Sequence, residues 1–157
     1  TEPRFPAVGP VEQHPGRHLL TERVRDEVGF ALARIGAPRA GRAERVERVL
    51  RDYPTLRLCV PHLGADEFDA YARLLERHDN LWLDTTMAMA DFFPIPLPRR
   101  ALEVRPERIL YGTDFPHLPY AWDRELKQLL ALRLGDEVEA GLVGQNALRL
   151  FGVAPPE

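Results

Sequence analysis

One stretch of the chain ends in side chains that can do acid–base or metal chemistry: Arg108-Ile-Leu-Tyr-Gly-Thr-Asp-Phe-Pro-His117. Its short apolar run, followed by glycine, predicts a buried strand that ends in a turn. In α/β barrels the loops after the strands form the functional face, so a carboxylate at this point indicates a site residue. Aspartate is also a good turn former, and these residues alone leave both roles open for Asp114.

Two further predicted strand exits carry polar side chains, His62 and Asp84. The exits of parallel strands lie on the same side of a sheet, so His62 and Asp114 can meet although they are far apart in the chain. A histidine and an aspartate in one pocket fit either divalent-metal ligation or a base with its orienting acid. For Asp84 we expect instead a carboxylate that caps the turn at Thr85 and Thr86.

The composition excludes several classes of chemistry. The chain has no serine, which excludes Ser-His-Asp acyl transfer, and its single cysteine, Cys59, excludes an internal disulfide and a multi-cysteine zinc site. A net charge of −3, with both signs interspersed, predicts neither a nucleic-acid nor a membrane partner. The sequence lacks an apolar run of membrane-span length and the apolar core of a signal peptide, so we expect a cytoplasmic protein.

The elements that position these residues alternate along the chain from about residue 43. Hydrophobic spacing predicts helices over 43–52, 66–78, 98–104, 121–134 and 136–151, and strands over 56–61, 81–85 and 108–111. This βαβ series predicts an α/β fold with a parallel sheet. Residues 1–42 are less regular and contain a loop and one predicted helix, and an apolar, proline-rich loop over 87–98 is of the kind that often covers a site.

Four segments occur in the order and spacing that resemble the amidohydrolase superfamily. They are Leu58-Cys-Val-Pro-His-Leu-Gly64, Asn80-Leu-Trp-Leu-Asp-Thr85, Ile109-Leu-Tyr-Gly-Thr-Asp-Phe-Pro-His117 and Gly144-Gln-Asn-Ala-Leu-Arg-Leu-Phe-Gly152. They look most like the amidohydrolase-related branch of metal-dependent hydrolases that includes aminocarboxymuconate-semialdehyde-decarboxylase-like enzymes. The resemblance extends from about Ala43 to the end of the sequence.

The resemblance implies a (β/α)8 TIM barrel, of which this chain supplies the C-terminal portion, about strands 5 or 6 to 8. His62 resembles the sixth-strand histidine that activates or holds the attacking water. Asp114 resembles the aspartate after the eighth strand, which binds metal and accepts a proton. The resemblance also implies a divalent metal, with zinc as the first candidate and manganese or iron as the others. His14 is the candidate fifth-strand metal ligand, and His117 the candidate for the substrate mouth.

The sequence departs from the family pattern in its N-terminal part. The first-strand His-x-His metal pair has no counterpart, so we divide the chain into a poorly matching region, 1–42, and a family-like region, 43–157. A complete barrel typically needs about 250 residues. This chain is therefore incomplete as a barrel, and we expect it to be inactive on its own. Uncovered strand edges favour association, including homo-oligomers.

Three functions are compatible with these residues. The first is a metal-dependent hydrolase or decarboxylase acting on a small carboxylic or cyclic substrate, with Asp114 as metal ligand and His62 orienting water. The second is a metal-independent, lactonase-like hydrolase in which the same two residues activate water directly. The third is a non-catalytic α/β fragment or association module. The first two predict a small-molecule substrate whose identity the sequence does not specify.

Overall fold

The computed structural model describes residues 41–91, 99–117 and 120–154, and the statements that follow concern those residues. The predicted helix over 19–36, His14 and most of the proline-rich loop lie outside them.

Helices and strands alternate along the described residues as the hydrophobic spacing predicts. They are α1 (Arg42–Asp52), β1 (Leu58–Val60), α2 (Phe68–Arg77), β2 (Leu81–Asp84), α3 (Arg99–Val104), β3 (Ile109–Leu110), α4 (Arg124–Ala131), α5 (Asp136–Ala140) and α6 (Asn146–Phe151). The strands are shorter than predicted. The single helix expected over 136–151 is interrupted, because a π-helical turn at Gly141–Gln145 joins α5 to α6.

The described strands form one parallel sheet in the order β1-β2-β3. Leu58 pairs with Leu81 between the first two strands, and Leu83 pairs with Ile109 between the second and third. The predicted α/β fold with a parallel sheet is confirmed. Over the described ranges the sheet is a three-stranded sector and does not close into a barrel.

Side chains on both faces of the sheet are packed in hydrophobic clusters. Successive side chains of a strand point to opposite faces, so each strand can contribute to two clusters. Leu81, Leu83 and Ile109 belong to the main core, together with leucines of the flanking helices: Leu50, Leu74, Leu75, Leu102 and Leu129. Trp82 and Leu110 pack against Leu150 of α6 in a smaller cluster. Each fully buried leucine contributes roughly 1.5–3 kcal/mol of transfer free energy. A shift in strand register would remove side chains from these clusters, so the clusters stabilise the observed register.

The first turn of α1 is capped by a residue from elsewhere in the chain. Glu67 accepts the backbone N–H groups of Arg42 at 3.1 Å and Ala43 at 2.8 Å. Desolvation acts to raise the pKa of Glu67, but these backbone hydrogen bonds and the Arg42 side chain outweigh it, and the pKa lies below its ordinary value. The carboxylate thus attaches the segment after β1 to the start of α1.

Among the described residues, no helix is both long and apolar enough to cross a membrane.

Candidate active site at the strand exits

The exits of β2 and β3 are joined by one backbone–backbone hydrogen bond and one bond from a backbone N–H to a side chain. The N–H of Thr85 donates to the carbonyl of Leu110 at 2.9 Å, and the N–H of Gly112 donates to Oγ1 of Thr85 at 3.3 Å. Tyr111, the first residue after β3, donates its N–H to the carbonyl of Leu142 in the π-helical turn. These hydrogen bonds therefore fix the backbone that carries the polar residues after the strands.

Asp84, the last residue of β2, fixes the exit of β1 as well as its own turn. Its Oδ1 accepts the N–H of Thr86 at 3.0 Å and the N–H of His62 at 3.2 Å. The predicted capping role of Asp84 is confirmed, and the second bond extends it to the neighbouring strand.

The ring of His62 is oriented by the same turn. Its Nδ1 lies 2.8 Å from the carbonyl oxygen of Thr86, and the residue is half-buried. A carbonyl oxygen can only accept, so Nδ1 carries the proton and the neutral ring has its lone pair on Nε2. The structure thus presents Nε2 as a base or as a metal ligand, with the other ring nitrogen held by a backbone carbonyl.

Each described strand exit contains a non-glycine residue in the left-handed region of backbone space. The φ angles are 57° at His62 after β1, 60° at Met87 after β2 and 59° at Asp114 after β3. Such conformations cost on the order of 1–3 kcal/mol and persist only where surrounding contacts enforce them. Their placement after all three strands favours a functional role for this edge of the sheet.

A fully buried carboxylate lies behind this edge. Glu125, in the first turn of α4, is 0% exposed, and its Oε1 accepts the N–H of Met87 at 2.9 Å and the hydroxyl of Tyr120 at 3.1 Å. Burial raises the pKa of Glu125, and it outweighs the opposing hydrogen bonds and the nearby His62. Its Oε2 is buried and makes no hydrogen bond within the described part of the chain.

Tyr120 is hydrogen-bonded to Glu125 and is influenced electrostatically by Asp114. Burial raises the pKa of Tyr120 furthest, followed by the charge of Glu125, the hydrogen bond to Glu125 and the charge of Asp114. Asp114 is therefore near enough to Tyr120 to act on it electrostatically.

The first turn of α4 also holds the loop after β2. Arg124 donates from Nε to the carbonyl of Ala90 and from Nη2 to the carbonyl of Asp91 at 2.9 Å. Its neighbour Glu125 binds the same loop at Met87. Two adjacent residues of one helix thus fix both ends of the segment 87–91.

The predicted site residues differ in their burial and in how many hydrogen bonds hold them. His62 is anchored by two hydrogen bonds, whereas Asp114 and His117 are exposed on the turn after β3, where the N–H of His117 donates to the Asp114 carbonyl at 2.9 Å. No hydrogen bond joins His62 to Asp114 in the described ranges. His14 lies outside those ranges.

The described residues do not by themselves fit a complete metal centre. Within 41–91, 99–117 and 120–154, no three His, Cys, Asp or Glu side chains converge as metal ligands would. Cys59 is not a substitute nucleophile, since burial raises the pKa of its thiol to about 12.

Sequence reasoning missed Glu125 and Tyr120. A signal for Glu125 was present: it precedes Leu129 by four positions, so the helical period puts it on the same buried face. An acid on the apolar face of a helix that follows a strand exit is a candidate site residue. Tyr120 carried no comparable signal.

The model of the family described as amidohydrolase matches residues 13–153, which is most of the chain. The chain belongs to the amidohydrolase family. The resemblance stated from the four sequence segments is therefore confirmed. A search of curated proteins found no match.

Solved structures with amidohydrolase-type and TIM-barrel descriptions share the fold. An uncharacterized TIM-barrel protein from Bordetella bronchiseptica is 23% identical with a TM-score of 0.60, over 69% of this chain and 38% of that one. Amidohydrolase 2 from Bifidobacterium longum subsp. infantis is 18% identical with a TM-score of 0.57, over 80% and 53%. A putative 2-pyrone-4,6-dicarboxylic acid hydrolase from Pseudomonas putida is 19% identical with a TM-score of 0.56, over 73% and 50%.

These comparisons confirm the predicted fold class. The chain corresponds to part of an amidohydrolase TIM barrel and spans between 38% and 53% of the length of these three neighbours.

Proposed function

We propose that this chain is the C-terminal part of a hydrolase that opens or cleaves a small carboxylic or cyclic substrate, with His62 as the base that acts on the attacking water. The observation that carries the proposal is the hydrogen bond from His62 Nδ1 to the Thr86 carbonyl at 2.8 Å. In a member of the amidohydrolase family, that bond leaves Nε2 as the basic atom at the functional edge of a parallel sheet.

In this reaction His62 Nε2 takes a proton from water as the water oxygen attacks the substrate carbonyl, and the carbonyl carbon then loses its bond to the leaving oxygen or nitrogen, which takes up a proton. The ring then carries a positive charge, which the Thr86 carbonyl on Nδ1–H stabilises. General-base catalysis of this kind contributes typically about 10²–10⁴-fold. Asp114, on the turn after β3, is proposed as the proton shuttle that takes the proton from the ring and passes it to the leaving group, and His117 as a contact at the substrate mouth.

We also propose that the site binds a divalent metal. This proposal rests on the side-chain types of His62 and Asp114, which are those of metal ligands, and on the family resemblance. Elemental analysis of the purified chain tests it, with the D114A variant as the control. Stoichiometric zinc, manganese or iron that is lost in D114A supports a partial metal centre completed by His14 or by residues of another copy. Equal metal content in both proteins contradicts a ligand role for Asp114.

The first substrate to test is 2-pyrone-4,6-dicarboxylate, a cyclic ester with two carboxylates. The neighbour from Pseudomonas putida carries this compound in its description, and the compound fits the predicted class. Its ring opening is measured by loss of ultraviolet absorbance, with product analysis to separate hydrolysis from loss of carbon dioxide. Formation of carbon dioxide would reassign the chemistry to the decarboxylase alternative.

The decisive comparison is between two histidine variants of a full-length protein that contains this chain, because we expect this chain to be inactive on its own. H62N removes the base, and we expect the hydrolysis rate to fall by about 10²–10⁴-fold. H78N is the matched control, because His78 lies at the end of α2 with its Nε2 3.6 Å from Glu47. Equal, measurable rates in the unmodified full-length protein and in its H62N variant would contradict the proposed role of His62.

A further inference from the structure

A single peptide unit lies between His62 and Glu125. The Thr86 carbonyl accepts from His62 Nδ1 at 2.8 Å, and the N–H of the same peptide, at Met87, donates to Glu125 Oε1 at 2.9 Å. Because a peptide unit is planar and rigid, a constraint on its N–H is also a constraint on its carbonyl.

We propose that Glu125 is a positioning residue for His62 and acts through the Thr86–Met87 peptide. The inference rests on the proposed function of His62 as the base. Glu125 does not touch the reacting atoms in this proposal. It fixes the plane of the peptide whose carbonyl selects the tautomer of the His62 ring.

The burial of Glu125 supports a role beyond packing. A carboxyl group that is fully removed from water costs free energy that an apolar side chain of similar volume would not. Two hydrogen bonds to Oε1 offset part of this cost, while Oε2 has no hydrogen-bond partner among the described residues.

The backbone at Met87 supports the same conclusion. Met87 is buried with a φ of 60°, a conformation that a non-glycine residue adopts only when its surroundings enforce it. The bond from its N–H to Glu125 and the Arg124 bonds to the Ala90 and Asp91 carbonyls help to hold this loop, together with the bond from the Ala88 N–H to the Thr85 carbonyl at 2.9 Å. Removal of the acceptor at position 125 frees the peptide to rotate.

The two hydrogen bonds on the peptide also strengthen each other. Donation from the Met87 N–H polarises the peptide toward its carbonyl oxygen, which becomes a better acceptor for Nδ1–H. Loss of the Glu125 acceptor weakens this preference and lets the ring adopt the opposite tautomer, in which Nε2 carries the proton and is no longer basic.

The test compares the ring ¹⁵N shifts of His62 in three variants, at a pH where the ring is neutral. E125L removes the acceptor with little change in volume, and E125Q keeps an amide oxygen that accepts from Met87. E139L is the matched control, because Glu139 also accepts a backbone N–H, that of Leu134 at 3.0 Å, and makes no contact with this peptide. Far-UV circular dichroism establishes that each variant is folded.

We expect one tautomer, with the proton on Nδ1, in the unmodified chain, in E125Q and in E139L. In E125L we expect a mixture with the Nε2–H tautomer and a fall in kcat of about 10–100-fold with a smaller change in KM. Unchanged His62 shifts in folded E125L would overturn the proposal.

A second measurement applies if E125L does not fold. In the unmodified chain, the hydrogen bond predicts a scalar coupling between the Met87 amide ¹⁵N and the Glu125 carboxyl ¹³C. Detection of the coupling supports the inference, and its absence overturns it. Both measurements report structure and not catalytic turnover, so they distinguish failure of this inference from failure of His62 as the base. A tautomer change in E125L, combined with full activity in H62N, would refute only the role of His62 as the base.

Discussion

A Cβ atom on Gly112 would lie 2.2 Å from Oγ1 of Thr86. Gly112 follows β3, and Thr86 is the residue whose carbonyl orients His62. The close approach of these two residues therefore couples the exit of β3 to the ring of His62, and only a residue without a side chain permits it at position 112.

The variant G112A is expected to push Thr86 away and so to disturb the ring of His62. Overpacking of this kind typically costs about 1–3 kcal/mol of unfolding free energy. We expect lower hydrolase activity and a change in the His62 ring shifts. The control is G144A, since a Cβ at Gly144 would meet no atom of the described residues within 4 Å outside its own helix backbone and chain neighbours. Equal ring shifts in the two variants would contradict the coupling.

Loss of the Glu67 cap is expected to destabilise the fold. E67A leaves the Arg42 and Ala43 N–H groups without their acceptor and should lower the free energy of unfolding by about 1–2 kcal/mol in urea titrations at pH 7. E103A is the control, because among the described residues Glu103 has only an exposed helical ion pair, with Arg99.

The Glu67 contribution also has a predictable pH dependence. The folded-state pKa of Glu67 lies below its ordinary value of 4.5, so the stabilisation is present above pH 4.5 and is lost as pH falls through the folded-state pKa. The stability difference between the unmodified chain and E67A should narrow over that acid range. A difference that stays constant with pH would contradict a contribution from the ionised carboxylate.

Glu125 is expected to have the opposite pH dependence. Its pKa is raised by burial, so the native state holds its proton more tightly than the unfolded chain does. Stability should therefore fall as pH rises from about the ordinary value of 4.5 through the folded-state pKa. E125Q cannot ionise, and a plot of melting temperature against pH should lack this decline. Parallel curves for the two proteins would show that Glu125 titrates normally in the fold.

Asn146 is expected to be among the most important polar residues for stability. Its fully buried amide donates from Nδ2 to the carbonyls of Pro106 at 2.8 Å and Ile109 at 2.7 Å. N146A leaves the buried Ile109 carbonyl without this donor and removes one of two donors to the Pro106 carbonyl, so it should cost roughly 2–4 kcal/mol of unfolding free energy.

Asn80 provides the matched comparison for this prediction. It donates from Nδ2 to the carbonyls of Leu50 and Tyr53, but it is only half-buried. Water can replace the lost bonds in N80A, so we expect a loss of about 1 kcal/mol. A loss in N80A as large as that in N146A would show that burial does not set the cost.

Local patterning was sufficient to predict the parallel βαβ order and the position of His62 at a strand exit. The apolar strands and amphipathic helices each bury one recognisable face, and a strand exit is defined by its neighbouring residues alone. The turn-capping role of Asp84 was predictable for the same reason, since its partner Thr86 is two positions away.

The remaining features depend on contacts between distant parts of the chain. Glu125 meets Met87 across 38 positions, and Asn146 meets Ile109 across 37. Neither partner can be identified from spacing, because the backbone groups that they bind are present in every residue. The π-helical turn at Gly141–Gln145 was likewise not predictable, because the helical spacing of the sequence continues through it.

The central position of β2 limits how the length of this chain can vary. Asp84 reaches both the β1 exit and its own turn only because the register pairs Val60 with Leu83 and Asp84 with Leu110. One inserted or deleted residue within β2 would turn Asp84 and Trp82 to the opposite faces and separate His62 from its acceptor. Homologous chains should therefore tolerate length changes in the turns between helices and strands, while the four residues of β2 keep a fixed count.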